Sequence, residues 1–237
     1  MAKFSQDYRP IFADCDSKYD LKPQTLLAWA CELAGDHLRS RSITREDMWD
    51  QRQVFLLTTA AMHFDRVPVY NSPITLSTWE SGTKGARFVR SFDAADGDGN
   101  IVCDLQTLWV LVDPQTHSLY RPAEYKHELD VTDIPTVAQV QKHRVCAEES
   151  VKDYTFVYSD IDANGHVNNG VYLRLLADLL PATHADRHFG DIYVSFLHEA
   201  RQGQTVSLYV AQTADSFAVV GKFPDGNVCF EAEAVFQ

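Results

Sequence analysis

The strongest constraint on how this chain can fold is that its pattern occurs twice. Phe64-Asp65-Arg66-Val67-Pro68, then Ile74-Thr75-Leu76, lies over Phe196-Leu197-His198-Glu199-Ala200, then Val206-Ser207-Leu208, at a constant offset of 132. Asp98-Gly99-Asn100-Ile101 lies over Asp225-Gly226-Asn227-Val228 at 127, and Asp14-Cys15-Asp16 over Asp160-Ile161-Asp162 at 146. The offsets change only between blocks, as loops of different length would make them. A repeat of this size implies two similar modules, each a strand and a long apolar helix followed by an antiparallel meander.

Local signals fill in the unit. Tyr8 to Phe12 reads as a strand entry, and Lys22-Pro23-Gln24 precedes a helix over Thr25 to Leu38. Its Leu26, Leu27, Trp29, Ala30, Leu33 and Ala34 cover most of the circumference, which marks a core helix. Residues 39–52 are charged and form a short second helix or an exposed connection. Strand signals run from Val54 to Val112, broken by turns at Asn71-Ser72-Pro73, at 82–85 and at 96–100. From Pro114 to Lys152 the pattern weakens. Pro122, Pro135 and Lys142-His143-Arg144 point to a connector that crosses the surface. A strand over Tyr154 to Tyr158, a turn and a helix toward Leu180 follow, and strands fill Ile192 to Phe236. The expected fold class is α+β, with modules at 1–130 and 151–237 joined by a connector at 131–150.

The two copies differ where chemistry would sit. At 146 residues before Asn164 and His166 stand Lys18 and Asp20, and at 132 before Glu199 stands Val67. Only the second copy carries the crowded stretch Asp160-Ile161-Asp162-Ala163-Asn164-Gly165-His166-Val167-Asn168-Asn169. Read as an EF-hand, Asp160, Asp162, Asn164, Gly165, His166 and Asn168 occupy loop positions one, three, five, six, seven and nine. Position twelve, where a bidentate Glu is needed, is Val171, and the residues before the loop read as a strand rather than a helix. The competing reading is a turn at Asn164-Gly165 and a helix capped by Asn168 or Asn169. That leaves helix-start amides and the positive end of the dipole beside His166, Asn164 and Asp162, a place suited to a developing negative charge. Taken alone, the stretch is equally compatible with a polar connection that satisfies its own backbone.

Composition removes several classes. With 237 residues and a net charge of −12, the chain lacks the clustered Lys and Arg that nucleic-acid binding needs. Its apolar runs are too short to span a bilayer, and the first residues carry no secretory h-region, so a cytosolic setting is expected. Cys15, Cys31, Cys103, Cys146 and Cys229 are odd in number and widely spaced, with no CxxC pair, which argues against a disulfide framework or structural zinc. His184 and His188 have i, i+4 spacing, but no Glu follows the first as a zincin would require, and no metal site is expected. No cofactor is implied.

Asp162-x-Asn164-x-His166-Val167-Asn168-Asn169-x-x-Tyr172 opening a helix, with Phe196-Leu197-His198-Glu199 on a strand about thirty residues later, resembles the acyl-acyl carrier protein thioesterases of plants and bacteria. His-x-Asn-Asn alone occurs across other hotdog thioesterases, and the double module narrows the family. The resemblance covers the whole chain and implies two tandem hotdog modules, each a long helix wrapped by a curved antiparallel sheet. The N-terminal one would supply an acyl pocket and the C-terminal one catalysis. It also implies an active site of Asp162, Asn164, His166 and Glu199, and as partner an acyl carrier protein bearing a fatty acyl phosphopantetheine. Plant members commonly have a cysteine where this chain has Ala200, which excludes a thiol there and leaves a carboxylate. No plastid transit peptide is visible, which points to the bacterial type.

Thioester hydrolysis needs an activated water and a donor for the carbonyl oxygen as it becomes an oxyanion. The departing thiol ionises near pH 8.5 and needs little help from an acid. Glu199 is the leading base, with His166 eligible for that role or as a donor, and Asn164 holding water and substrate. Asp162 would orient Asn164 or His166, and the backbone N–H groups of Val167 and Asn168 would face the oxyanion. Leu26, Trp29 and Leu33 are candidate contacts for the acyl chain. Lys84, Arg87 and Arg90, or Arg174, Arg187 and Arg201, are candidates for the acidic carrier. Fused modules supply the pairing that single ones gain by dimerising, so the chain is expected as a monomer or a homodimer.

Overall fold

The structure is a computed structural model that describes residues 3–140, 147 and 149–237. The chain divides into two compact units, Met1–Leu21 with Ala28–Val140, and Lys22–Leu27 with Gln141–Gln237. Lys142-His143-Arg144 and Cys146 lie outside the described residues.

The first unit contains β1 (Phe4–Tyr8), most of α1 (Pro23–Ser40), α2 (Arg45–Asp50), β2 (Val54–Phe64), β3 (Ile74–Lys84), β4 (Arg87–Ala95), β5 (Ile101–Val112) and β6 (Leu119–Tyr120). Its strands are antiparallel in the order β1-β3-β4-β5-β2, with β6 on β5. Leu26, Leu27, Ala30 and Leu33 of α1 are fully buried. Each such Leu contributes about 1.5–3 kcal/mol relative to exposure, which holds the helix in place. On β1, Tyr8 stacks on Trp29 with ring centroids 4.9 Å apart, and Phe4 stacks on His37 at 5.4 Å.

The second unit contains β7 (Glu149–Thr155), α3 (Asn169–Asp178), α4 (Ala182–Ala185), β8 (Phe189–Phe196), β9 (Thr205–Gln212), β10 (Ser216–Lys222) and β11 (Val228–Phe236). The antiparallel order is β7-β9-β10-β11-β8, the same as in the first unit when each strand is matched to its repeat. The register repeats as well: Tyr8 faces Ile74 and Tyr154 faces Val206, at the sequence offsets of 146 and 132. On β11, Phe230, Ala232, Ala234 and Phe236 are buried while Glu231, Glu233 and Val235 are partly exposed, a period of two that turns one face to the core. Helix α3 packs on β10 and β11, with Tyr172 against Phe230 at 4.7 Å.

Four local expectations change. The strand expected from Tyr8 to Phe12 lies earlier, since β1 ends at Tyr8 and Phe12 opens a 3-10 turn. The turn at 82–85 is only Gly85-Ala86, because a bulge between Glu80 and Thr83 lets β3 run on to Lys84. The strand expected over 154–158 ends at Thr155, and Tyr158 begins a 3-10 turn. The stretch leading to Val140 follows the surface but is tied to the first unit: Thr132 N–H donates to Glu80 O at 2.8 Å, and Ala138 N–H to the Asp104 carboxylate at 2.6 Å.

Candidate active site

The loop from Asp160 to Asn168 is closed by its own backbone. Asp162 N–H donates to His166 O at 2.9 Å and Gly165 N–H to Asp162 O at 3.0 Å, while Ile161 bridges Val167. Gly165 has φ +80°, a conformation a side chain would strain. The 3-10 turn Tyr158–Asp160 delivers a buried carboxylate beneath the loop. Asp160 accepts from Val157 N–H and Tyr154 O–H, both at 2.9 Å, and from Arg174 at 2.7 Å. Asp160 is thus spent on structure. The first copy repeats the frame: Cys15 bridges Leu21, Asp16 N–H donates to Asp20 O at 2.8 Å, and Tyr19 has φ +67°.

Within this frame the expected site residues form two pairs. Asp162 Oδ1 accepts from the Asn164 backbone N–H at 2.8 Å. His166 Nε2 lies 3.2 Å from Glu199 Oε2, with side-chain exposures of 25% and 43%, so the pair meets solvent on one side. Glu199 reaches His166 because Val167 N–H donates to Ala200 O at 2.8 Å, joining the loop to the segment just after β8. In the first copy, the matching Leu21 N–H donates to Pro68 O, but Lys18 and Asp20 form an ion pair of their own at 3.9 Å and Val67 is buried.

One expectation fails on hydrogen bonding. The N–H groups of Val167 and Asn168 do not face an oxyanion, because they are donated to Ala200 O and Asp160 O, each at 2.8 Å. Asn168 instead caps α3, its side chain accepting from Gly170 N–H at 2.8 Å. Val171 N–H is also taken, by Asn168 O. Among the described residues, the amide of Asn169 is the donor left over at this helix start. Leu26 and Leu33 are fully buried and Trp29 is stacked on Tyr8, as core residues are. Arg90 is unsuited to a carrier surface: it is buried against Glu80 at 3.0 Å and His37 at 2.9 Å. Arg174 and Arg187 are paired with Asp160 and Asp215, whereas Lys84 and Arg87 stand on an exposed turn.

Two residues of the site escaped sequence reasoning as functional groups. Cys229 Sγ on β11 lies 3.6 Å from the Tyr172 hydroxyl and 3.4 Å from His198 O. A thiol is therefore close behind Glu199 although position 200 has none. Burial pushes it up to about 11, which keeps it protonated and inert as a nucleophile. The signal was in the repeat: Tyr172 and Cys229 stand where the first copy has Leu26 and Val102. An open cleft of about 400 Å³ beside Glu199 is lined by His198, Gln204, Phe223, Pro224, Asp225 and Asn227.

A carboxylate and an imidazole are thus in contact beside a helix start, on one half of an α+β chain whose pattern occurs twice. The acyl-ACP thioesterase N-terminal domain family matches residues 1–129, and the corresponding C-terminal domain family matches 143–223. The chain belongs to the acyl-ACP thioesterase family. A chloroplastic palmitoyl-acyl carrier protein thioesterase of Gossypium hirsutum is 25% identical over 203 residues, covering 78% of this chain and 49% of that protein. One from Arabidopsis thaliana is 23% identical over 67% of this chain and 42% of its own length. The chain thus spans about half the length of these curated relatives. The fold is that of an acyl-ACP thioesterase from Bacteroides thetaiotaomicron, with a TM-score of 0.90, 19% identity and coverage of 98% and 97% of the two chains. The 12:0-ACP thioesterase from Umbellularia californica gives 0.81 at 16% identity, covering 99% and 97%.

Proposed function

We propose that the chain hydrolyses the thioester of a fatty acyl-acyl carrier protein to the free fatty acid and the holo-carrier protein, with its two units as tandem hotdog modules and the second catalytic. The single observation that carries this reading is the His166–Glu199 contact of 3.2 Å at the start of α3, and family membership supplies the substrate class. His166 holds Oε2 of Glu199, leaving Oε1 to take a proton from water as the water oxygen attacks the carbonyl carbon. The oxyanion forms within reach of the Asn169 N–H and the positive end of α3. The C–S bond then breaks, and the thiolate takes the proton from Glu199. Asp162 sets Asn164 at the loop rim, where it orients the water.

In this reading the pantetheine arm leaves along the cleft beside Glu199. Gln204 Oε1 is occupied by Arg201 N–H at 2.7 Å, and the Asn227 side-chain amide donates to Asp225 at 2.9 Å. Gln204 thus retains its NH₂ and Asn227 its carbonyl oxygen, a donor and an acceptor of the kind an amide requires. Lys84 and Arg87 offer positive charge to the carrier. Among the described residues no helix is long and apolar enough to cross a membrane. The same reading carries a cytosolic reaction and a protein that is a monomer or a homodimer.

The experiment is turnover of one acyl chain on two carriers, acyl carrier protein and coenzyme A, by the native chain. A preference for the carrier protein supports the reading; equal rates or a coenzyme A preference would make it a hotdog hydrolase of another substrate class. Absence of turnover on both would leave a non-catalytic acyl-binding module.

A further inference from the structure

We infer that Tyr172 and Cys229 are positioning residues for Glu199, acting as a buried hydrogen-bonded clamp on the two peptide groups that flank it; the inference rests on the proposed role of Glu199. The thiol of Cys229 has one proton, and His198 O, 3.4 Å away, can only accept it. The sulfur also lies 3.6 Å from the Tyr172 hydroxyl, and with the thiol proton directed to His198 O the hydroxyl is the donor of that contact. On its other side the backbone of Ala200 approaches the Tyr172 hydroxyl, its N–H oriented to favour negative charge on that oxygen. The contacts run from the Ala200 amide through the hydroxyl and the thiol to His198 C=O. It begins one residue after Glu199 and ends one residue before it.

The clamp is anchored on the side of the core. Tyr172 is held by Phe230 at 4.7 Å, Phe196 at 5.7 Å and Phe156 at 6.0 Å, and Cys229 has no solvent exposure. Val167 N–H holds Ala200 O from the loop that carries His166. The Ala200 segment is thereby fixed from the helix, from β11 and from the His166 loop at once. That suits a need to keep a half-exposed carboxylate at 3.2 Å from an imidazole.

The first copy is a control within the same chain. The backbone bond Arg66 N–H to Val102 O at 2.9 Å matches His198 N–H to Cys229 O at 3.1 Å, so the strands approach alike. Yet Leu26 and Val102 replace Tyr172 and Cys229, and Pro68 replaces Ala200, removing the N–H that a hydroxyl would accept. Where Val67 stands in place of Glu199, the hydroxyl, the thiol and the N–H of the clamp are all absent. Leu26 and Val102 are both buried, so the first copy closes its core without the polar pair.

The test compares Tyr172→Phe, Cys229→Val and Cys229→Ser, each checked for native folding by its urea midpoint, on one acyl-carrier substrate. We expect kcat to fall about tenfold to a hundredfold in Tyr172→Phe and Cys229→Val with KM unchanged, as for a reacting group displaced by a fraction of an ångström. Cys229→Ser, which keeps a donor, retains kcat within about threefold. In a Glu199→Gln background, read by single turnover, Tyr172→Phe adds no further loss. Hydrogen exchange at the Ala200 amide accelerates in Tyr172→Phe, which reads the clamp without any activity. Native kcat in Tyr172→Phe and Cys229→Val, or the same fold loss with and without Glu199, overturns the clamp while leaving the proposed reaction intact. Native turnover in Glu199→Gln overturns both.

Discussion

Asp160 gives the sharpest stability prediction, because the repeat supplies its reference. Its carboxylate is almost fully buried and accepts three hydrogen bonds, from Val157 N–H, Tyr154 O–H and Arg174, at 2.9, 2.9 and 2.7 Å. Bonds to a charged group contribute about 1.5–3 kcal/mol each, but Arg174 is partly solvated and recovers hydration once released. With Arg174 rehydrated, what is lost is the set of bonds to the carboxylate itself, and a loss of about 2–4 kcal/mol is expected for Asp160→Ala. Asp14 holds the matching place in the first copy, where it is half-buried and accepts from Ile11 N–H at 2.9 Å. Asp14→Ala is expected to cost about 1 kcal/mol, the value of one cap. Urea unfolding followed by tryptophan fluorescence and by far-UV circular dichroism would measure both, and coincident transitions would justify a two-state treatment. A loss below about 1 kcal/mol for Asp160→Ala, or equal losses at the two positions, would refute the view that this carboxylate anchors the loop.

Other perturbations follow from single contacts. A Cβ on Gly221 would sit 2.3 Å from the buried ring of Phe230, so Gly221→Ala should lower stability by about 1–3 kcal/mol, measured by the urea midpoint. Asn168→Ala removes the α3 cap, with an expected loss of about 1 kcal/mol, seen as a lower thermal midpoint. Burial, then Arg90, holds His37 below its ordinary value, so the unfolded chain binds a proton that the native one does not as pH falls through about 6.5. His37 thereby contributes a loss of stability on acidification from neutral pH, and the urea midpoints of native and His37→Gln protein, compared at pH 7 and 5.5, should show a smaller drop in the variant.

Much of this architecture is legible in the residues. The offsets of 132 and 146 reappear as paired registers, because a strand's hydrophobic alternation fixes which residues face each other. The end of the strand near 154–158 was not legible. Phe156, Val157 and Tyr158 have strand composition, but the Asp160 carboxylate bonds Val157 N–H and draws the backbone into a turn. The donors of the site were misplaced for a related reason. The sequence marks a helix start with free amides, and only the fold decides which of them already have partners, here Val167 and Asn168. Cys229 is 57 residues from Tyr172, and nothing local joins them. The exchange of Leu26 and Val102 for a tyrosine and a cysteine between copies was present all along.

In the proposed reaction the carboxylate of Glu199, held by His166, is the base. The direct measurement is the single-turnover rate of Glu199→Gln on a fatty acyl-acyl carrier protein, with native folding confirmed beforehand. A loss of about a hundredfold to ten-thousandfold is expected, the range for removal of a general base. A rate within a few-fold of the native protein would contradict that role.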